Sequence, residues 1–193
     1  MSEISLSIPV SEEKIRKINA GEIVYVSGTI YTARDVAHKY LIEKANPDTL
    51  PFSLKDSCIY HCGPIVKKVD SGYEIVSSGP TTSIREEPYE AEVIEKYGVR
   101  AVIGKSGMGE KTLNAMKKFG AVYLAAIGGA AVYIAKSVKK VKNVYMLEEF
   151  GIPEAFWELE VENFPTICTM DSNGKSLHSE IEKRSMDNYA KLV

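Results

Sequence analysis

The fold follows from the stretch Gly104-Lys105-Ser106-Gly107-Met108-Gly109, which lies between a predicted buried strand, Val99 to Ile103, and a predicted helix, Glu110 to Phe119. A second stretch, Gly79-Pro80-Thr81-Thr82-Ser83-Ile84-Arg85, follows another predicted strand, Tyr73 to Ser77. Loops that lead from strands into helices gather ligands at one end of a sheet. The two stretches therefore predict an α/β fold with a binding site at that end.

The same alternation of strand and helix continues through the middle of the chain. A helix is predicted to begin at Pro88 and to stop at Gly98, because proline suits a first helical turn and glycine a helix end. Ala121 to Ala126 and Val141 to Met146 are predicted strands, and Gly128 opens a small-residue helix between them. This alternation predicts α/β units.

Shorter elements are predicted on both sides of this region. Before it, they are a helix begun by Ser11, a strand Glu22 to Val26 that turns at Ser27-Gly28, and a helix from Ala33 to about Glu43 capped by Thr32. A strand Cys58 to His61 is joined to Tyr73 to Ser77 through a hairpin at Asp70-Ser71-Gly72. After it, they are strands Trp157 to Val161 and Pro165 to Met170 and a turn at Asp171-Ser172-Asn173-Gly174. We expect a single domain over residues 1–193, with a helical tail from about Ser176.

The composition excludes several classes of function. The net charge is −2, from 24 basic and 26 acidic residues, which gives no support to nucleic-acid binding or to a polybasic membrane contact. No apolar run approaches the roughly 20 residues that a membrane span needs. The first residues have neither a basic region nor an apolar core, so we expect no signal peptide and a cytoplasmic protein.

Thr81, Arg85 and Lys105 are the first candidates for a binding site. As a surface feature, the Thr81-Thr82 pair would only cap the following helix, and Arg85 would pair with Glu86 or Glu87. The neighbouring glycines favour a site, because glycine allows a ligand or a second chain to approach the backbone closely. Two cations beside free backbone N–H groups suit a carboxylate or a phosphate.

A nucleotide-binding P-loop is not supported by the Gly104-Lys105-Ser106 sequence. A P-loop has four residues between its first glycine and the Gly-Lys pair, whereas Gly98 and Gly104 are separated by five. Those five residues also predict a strand and not a phosphate-binding loop. What remains is a lysine at the end of a strand, followed by a glycine-rich turn.

Arg34, Asp35 and His38 form a third group of polar residues. Arg34 and His38 are four positions apart and would lie on one face of a helix, where Asp35 could pair with either. An isolated histidine in a helix is more often structural than catalytic. A carboxylate-binding site nearby favours an acid–base role, because histidine titrates close to neutral pH.

The three cysteines, Cys58, Cys62 and Cys168, do not predict a metal cluster on this chain. An iron–sulfur cluster with an open iron needs three cysteines, but the close C-x₂-C grouping common in cluster sites is absent. Buried thiols are the simpler interpretation, since free cysteine is among the most buried residue types. We therefore expect no metal site here.

Four motifs together resemble a known family. They are Thr32-Ala33-Arg34-Asp35-Val36-Ala37-His38, His61-Cys62-Gly63-Pro64-Ile65-Val66 and the two stretches quoted first. In this order they resemble the β subunit of class I, iron–sulfur-dependent fumarases and of L(+)-tartrate dehydratases, which is the C-terminal domain in single-chain members. The resemblance runs from about Leu6 to Asn173, and the segment Ala126 to Ala131 leans weakly toward fumarase.

The resemblance implies a fold, a cofactor and a partner. The fold would be a swivelling β/β/α domain, with a mixed sheet and flanking helices. A [4Fe–4S] cluster would lie on a separate α subunit, where its open iron polarises the hydroxyl that leaves or adds. The complex would be a hetero-oligomeric hydro-lyase acting on a C4 dicarboxylate, either fumarate and L-malate in the tricarboxylic acid cycle or L-tartrate.

The resemblance also implies roles for single residues. Arg34, Arg85 and Lys105 would bind the dicarboxylate. Thr81 would lie near the proton-bearing carbon as the candidate base, and His38 matches a family histidine sometimes assigned an acid–base role. A threonine hydroxyl is a very weak base, so Lys105 or Arg85 would have to stabilise its alkoxide. The choice of base therefore stays open, as does a non-catalytic anion-binding module.

Overall fold

The computed structural model describes residues 2–70 and 72–192. Its strands are β1 (Glu3–Ile8), β2 (Ile23–Thr32), β3 (Cys58–Tyr60), β4 (Ile65–Val69), β5 (Gly72–Ser77), β6 (Ala101–Gly104), β7 (Val122–Ala125), β8 (Val138–Tyr145) and β9 (Phe156–Met170). Its helices are α1 (Glu12–Ile15), α2 (Asp35–Glu43), α3 (Glu87–Tyr97), α4 (Glu110–Phe119), α5 (Ala131–Ala135), α6 (Leu147–Phe150) and α7 (Leu177–Tyr189), with a 3-10 helix at Ser83–Glu86 before α3.

Seven strands form one mixed sheet in the order β1-β2-β3-β6-β7-β9-β8. The pairs from β1 to β7 are parallel, whereas β9 runs antiparallel to β7, β8 and β2. The β2–β9 pairing joins the two sides of the sheet, so β2, β3, β6, β7 and β9 form a closed barrel. The prediction of a mixed α/β fold is confirmed, but the closure was not predicted.

Alternating side chains on the barrel strands serve two separate cores. In β3, Cys58 and Tyr60 belong to a cluster inside the barrel, together with Trp157 and Phe164 of β9. Ile59, between them, packs in a second cluster with residues of the covering helices. Successive side chains of a strand point to opposite faces, so a strand buried on both faces reads as a continuous apolar run.

Several predicted elements are confirmed. Helix α3 has Pro88 in its first turn and ends at Gly98, whose φ of 67° is left-handed. Helix α4 has the predicted bounds and ends at Gly120. Ser176 caps α7 by accepting a hydrogen bond from the Ser179 amide, so the polar tail is helical. Within residues 2–70 and 72–192, no helix combines the length and apolar character needed to cross a bilayer.

Two predictions around β2 are wrong. Ser27-Gly28 is not a turn, because β2 continues to Thr32 through a bulge between Val26 and Gly28. Thr32 does not cap α2, since its hydroxyl lies in the interior, 3.2 Å from the Ala155 carbonyl. The residue before α2 is Arg34.

Other strands also differ from the prediction. The hairpin joins β5 to β4, which was not predicted, while β3 pairs in the main sheet with β2 and β6. Ser71, at its predicted tip, lies outside the described residues. The two strands predicted near the C-terminus are one strand, β9, of 15 residues. Strand β1 was also missed.

Candidate active site

The two glycine-containing stretches lie side by side at the carboxyl ends of the parallel strands. The Thr81 amide donates to the His61 carbonyl at 2.7 Å, and the Lys105 amide donates to the Thr81 carbonyl at 3.2 Å. The Ser83 amide in turn donates to the Lys105 carbonyl at 3.0 Å. These bonds place the segments that follow β3, β5 and β6 in one short parallel arrangement, although their residues are far apart in sequence.

Arg85 connects this arrangement to the start of α2. Its guanidinium bonds the Asp35 carboxylate, and the Arg85 side chain remains 53% exposed. The alternatives for Arg85, pairing with Glu86 or Glu87, and for Asp35, pairing with Arg34 or His38, are therefore wrong. Because Asp35 is adjacent to Arg34, this ion pair brings the two predicted cationic residues to the same end of the sheet.

Arg34 occupies a narrow space beside the loop after β3. A Cβ atom added to Gly63 would lie 2.7 Å from the Arg34 Nη1 atom and 2.7 Å from the Pro153 carbonyl oxygen. The Arg34 Nε atom is 3.6 Å from a Glu154 carboxylate oxygen, and it is buried without a hydrogen bond to any described residue. Glycine at position 63 is thus required for the guanidinium to lie here.

The Lys105 side chain extends toward the loop after β7. A Cβ atom added to Gly128 would be 3.8 Å from Lys105 Cδ, an ordinary contact. Thr81 and Lys105 are both partly exposed. The backbone bonds place Thr81 beside Lys105, and the ion pair with Asp35 places Arg85 near the start of α2, next to Arg34. Arg34 and Arg85 each face a carboxylate, and Lys105 is the third cation at this end of the sheet.

Gly79 has a different role from the predicted approach of a ligand. A Cβ atom added there would lie 2.9 Å from the Ala131 side chain, and the preceding Ser78 amide donates to the Ala131 carbonyl at 3.0 Å. Gly79 therefore admits the start of α5, and this contact fixes the segment that leads into Thr81.

His38 lies beneath this surface and has no exposed atoms. Its Nδ1 atom is 2.9 Å from the Arg34 carbonyl oxygen, and its Nε2 atom is 3.0 Å from Glu90 Oε2. The same Glu90 oxygen is 2.8 Å from Nε2 of His61. A buried His–Glu–His group therefore lies between α2, α3 and β3.

The group continues from His61 toward the lysine loop. His61 Nδ1 is 2.9 Å from Ser83 Oγ, which is 2.8 Å from the Tyr123 hydroxyl. A Cβ atom on Gly104 would lie only 1.8 Å from this Ser83 oxygen. Glycine at the end of β6 is thus required by the side chains packed against it.

Glu86 is a second buried carboxylate, one turn before Glu90. Neither carboxylate oxygen of Glu86 has a hydrogen-bond partner among the described residues. Burial raises the pKa of Glu86 to about 7, although the nearby His38 opposes this shift. Glu86 is therefore partly protonated near neutral pH.

Among the residues that the structure describes, one group of side chains brings atoms of metal-ligating types close together. The Nε2 atoms of His38 and His61 and a Glu90 oxygen lie within 4.8 Å of one another. Cys58, Cys62 and Cys168 are all buried, and burial raises the pKa of Cys62 to about 11 and of Cys168 to about 12. The three cysteines do not form one group of ligand atoms in the part of the chain that the structure describes.

No role was predicted for Glu90, His61, Ser83 or Tyr123, and Glu86 was considered only as a partner of Arg85. A signal for the two carboxylates exists on α3, whose buried apolar residues Val93, Ile94 and Tyr97 continue the spacing of Glu86 and Glu90. Carboxylates at core positions of an amphipathic helix require buried partners. His38 and His61 lie in the motifs described above, but no local sequence pattern connects them to α3.

Known proteins are similar to this chain over nearly its whole length. The family model described as Fumarase C-terminus matches residues 1–181. The chain is 50% identical over 190 residues to a protein from Geobacillus stearothermophilus with the provisional name fumarate hydratase class I. That alignment covers 98% of this chain but only 36% of the relative.

Two further relatives have nearly the length of this chain. A Methanocaldococcus jannaschii protein, provisionally named L(+)-tartrate dehydratase subunit beta, is 48% identical over 187 residues, which is 95% of either chain. The L(+)-tartrate dehydratase subunit beta of Escherichia coli K12 is 40% identical over 179 residues, or 92% of this chain and 88% of the relative.

Proposed function

The chain belongs to the Fumarase C-terminus family, and we propose that it is the β subunit of an iron–sulfur hydro-lyase that interconverts fumarate and L-malate. The observation that carries this proposal is that the segments bearing Thr81, Arg85 and Lys105 lie side by side at one end of the sheet, with Arg34 next to the Asp35 that bonds Arg85. Three cations against two facing carboxylates, Asp35 and Glu154, leave a positive charge that suits an anionic substrate.

The cations have a role in the reaction as well as in binding. Removal of a proton from the carbon beside a carboxylate generates an aci-carboxylate, which carries additional negative charge. Fixed arginine and lysine side chains stabilise this charge as it develops, without reorganisation at the moment of reaction. Arg85 keeps its own position through Asp35, so the guanidinium is oriented before substrate arrives.

Of the two candidate bases, the geometry favours Thr81. The Thr81 residue is partly exposed beside Lys105, whereas the His38 ring is fully buried and both of its nitrogens have partners. A general base must reach the proton that it removes. We assign Thr81 to the substrate surface and His38 to the support beneath it.

We place the [4Fe–4S] cluster on a partner α subunit, because the three cysteines of this chain form no common ligand group among the described residues. When bound there, the cluster would supply the Lewis acid that a hydroxide leaving group requires. This chain would then act as a single domain that swivels over the cluster in a cytoplasmic hetero-oligomer. The 36% coverage of one relative is consistent with a longer single-chain arrangement elsewhere in the family.

L(+)-tartrate is the second candidate substrate. The relatives with this name in two organisms match 95% and 88% of their own lengths. Tartrate differs from malate by one hydroxyl, and the same cationic residues would bind either molecule. Assays of the complex with fumarate, L-malate and L-tartrate separate the two functions.

The decisive experiment compares site variants in the complex reconstituted anaerobically with its α subunit. Arg85→Ala and Lys105→Ala should each lower kcat/KM by about 30- to 1,000-fold, because each removes a charge-assisted contact worth roughly 2–4 kcal/mol in the transition state. Arg184→Ala, on the exposed part of α7, is the matched control and should be unchanged. Near-normal activity in both site variants would remove the proposed site.

A second experiment assigns the base by following solvent deuterium incorporation at the substrate methylene carbon. If Thr81 acts through its hydroxyl, Thr81→Ser should retain much of the exchange and Thr81→Ala almost none. His38→Asn should retain exchange at a reduced rate. Complete loss in His38→Asn with full exchange in Thr81→Ala would reverse the assignment.

A further inference from the structure

Glu90 is a buried carboxylate that faces two imidazoles and carries no direct role in the proposed reaction. It lies on α3 and is fully buried, with one oxygen contacting both His38 and His61. Its other oxygen has no hydrogen-bond partner among the described residues. An ionised carboxylate in such a position is costly unless a compensating charge is close.

The compensating charge is on His38. Its Nδ1 faces a backbone carbonyl, that of Arg34, and its Nε2 faces the carboxylate. Both partners are acceptors, so both ring nitrogens must carry protons and the ring is an imidazolium. Burial lowers the pKa of His38, but the Glu90 carboxylate outweighs it and the net shift is upward.

His61 is a neutral ring, and its two nitrogens take part in a chain of hydrogen bonds that all run in a defined direction. Its Nε2–H donates to Glu90, which leaves Nδ1 to accept a hydrogen bond from the Ser83 hydroxyl. The Ser83 oxygen then accepts from the Tyr123 hydroxyl. Burial lowers the pKa of His61, in agreement with a neutral ring.

We propose that Glu90 is a positioning residue that holds the substrate-binding segments in register. On one side, Glu90 bonds His38, whose other ring nitrogen donates to the Arg34 carbonyl. On the other side, the bonds run through His61 to Ser83, whose amide bonds the Lys105 carbonyl, while the His61 carbonyl bonds the Thr81 amide. The catalytic consequence of this inference rests on the proposed function, whereas the structural role of Glu90 does not depend on it.

A bound metal is the competing explanation for these three side chains. The two nitrogen–oxygen distances, 3.0 and 2.8 Å, are those of charge-assisted hydrogen bonds. With an imidazolium at His38, no lone pair is left on that ring for a metal. The geometry therefore favours protons over a metal ion between these groups.

Glu90→Gln is the appropriate test because it keeps the shape and removes the charge. With its amide nitrogen at the shared position, a glutamine can donate to Nε2 of a neutral His38 and to Nε2 of a His61 in its other tautomer, so the variant should fold. In the isolated full-length chain, nitrogen-detected NMR should show that His38 loses its charged form. Amide hydrogen exchange at Thr81, Ser83 and Lys105 should accelerate at least tenfold, while amides in the middle of α4 remain unchanged.

The matched control is Glu158→Gln, a carboxylate that is also buried and whose partners, Asn143 and Tyr145, belong to β8 and not to these segments. It should leave exchange at Thr81 and Lys105 unchanged. In the reconstituted complex, Glu90→Gln should lower kcat by about 10- to 100-fold, because a displacement of about 1 Å is sufficient for such a loss. KM should change less than threefold.

Three results would overturn the proposal. They are unaltered exchange at Thr81 and Lys105 in Glu90→Gln, a neutral His38 in the unsubstituted chain, and a stoichiometric metal that is lost in the variant. A wild-type complex that acts on none of fumarate, L-malate and L-tartrate would reject the proposed function instead. The NMR and exchange experiments on the isolated chain still decide the role of Glu90 in that case.

Discussion

Gly104→Ala tests the packing beneath the candidate site. The added methyl group would start 1.8 Å from Ser83 Oγ, 2.9 Å from the Tyr123 hydroxyl and 3.2 Å from His61 Nδ1. An ordinary contact is at least 3.4 Å, so the Ser83 side chain or the backbone has to move by more than 1 Å. Gly104 has no positive φ, so the backbone itself accepts alanine.

The expected destabilisation combines two effects. Overpacking of a buried position costs about 1–3 kcal/mol. Displacing Ser83 also weakens its bonds to His61 and Tyr123, each worth roughly 1 kcal/mol. After the small gain from reduced unfolded-state entropy, we expect the free energy of unfolding to fall by about 2–4 kcal/mol.

Urea denaturation of the full chain measures this change, with Gly128→Ala as the control. The nearest atom to a Cβ at position 128 is at 3.8 Å, and its φ is not positive, so the control should stay within about 0.5 kcal/mol of the wild type. Equal urea midpoints for the two variants, with equal m-values, would show that Ser83 is not packed against Gly104 and would refute the reasoning.

Three further predictions concern titration, backbone strain and thiol reactivity. Glu86, which faces His38, Asp35 and Glu90, has its pKa raised by burial from 4.5 to about 7, so the folded chain holds a proton that the unfolded chain releases. Stability should therefore fall by about 2–3 kcal/mol as pH rises from about 4.5 to 7, and urea titrations should show a smaller fall in Glu86→Gln. Gly98→Ala should lower the free energy of unfolding by about 1 kcal/mol in the same assay, because the left-handed φ of 67° is strained for alanine although the nearest atom is 3.7 Å away. Cys58, Cys62 and Cys168 should resist iodoacetamide at pH 8 and react only in urea, because burial raises the pKa of each thiol. Mass spectrometry counts the modified residues, and fast labelling of the folded chain would contradict the buried positions.

The regular helices were predictable because their signals are local. Pro88 and Gly98 mark the two ends of α3, and Gly120 ends α4 at the predicted residue. The bulge at Gly28 was misread as a turn, since a glycine after a serine has the same local signature in either structure. The partner strands β1 and β9 distinguish them.

The candidate site was predictable in its surface residues and not in its support. Thr81 and Lys105 lie in loops with glycine, which identify themselves in sequence, and the structure places the two loops together. Glu90, by contrast, contacts His38 across 52 positions and His61 across 29. A buried contact between residues so distant has no local pattern, and it follows only from how α3 packs on the sheet.

The closure of the barrel by its last strand has a consequence for synthesis on the ribosome. The Thr166 hydroxyl bonds the Val24 carbonyl, 142 residues earlier in the chain. At about 5–20 residues per second, β2 therefore waits roughly 7–30 s for the strand that completes its pairing. Val24, Val26 and Ile30, which are fully buried in the finished barrel, stay uncovered by β9 throughout that interval. Until its final quarter emerges, the nascent chain thus exposes an unpaired strand edge. A chaperone that binds short apolar strands near the tunnel exit would protect it during translation.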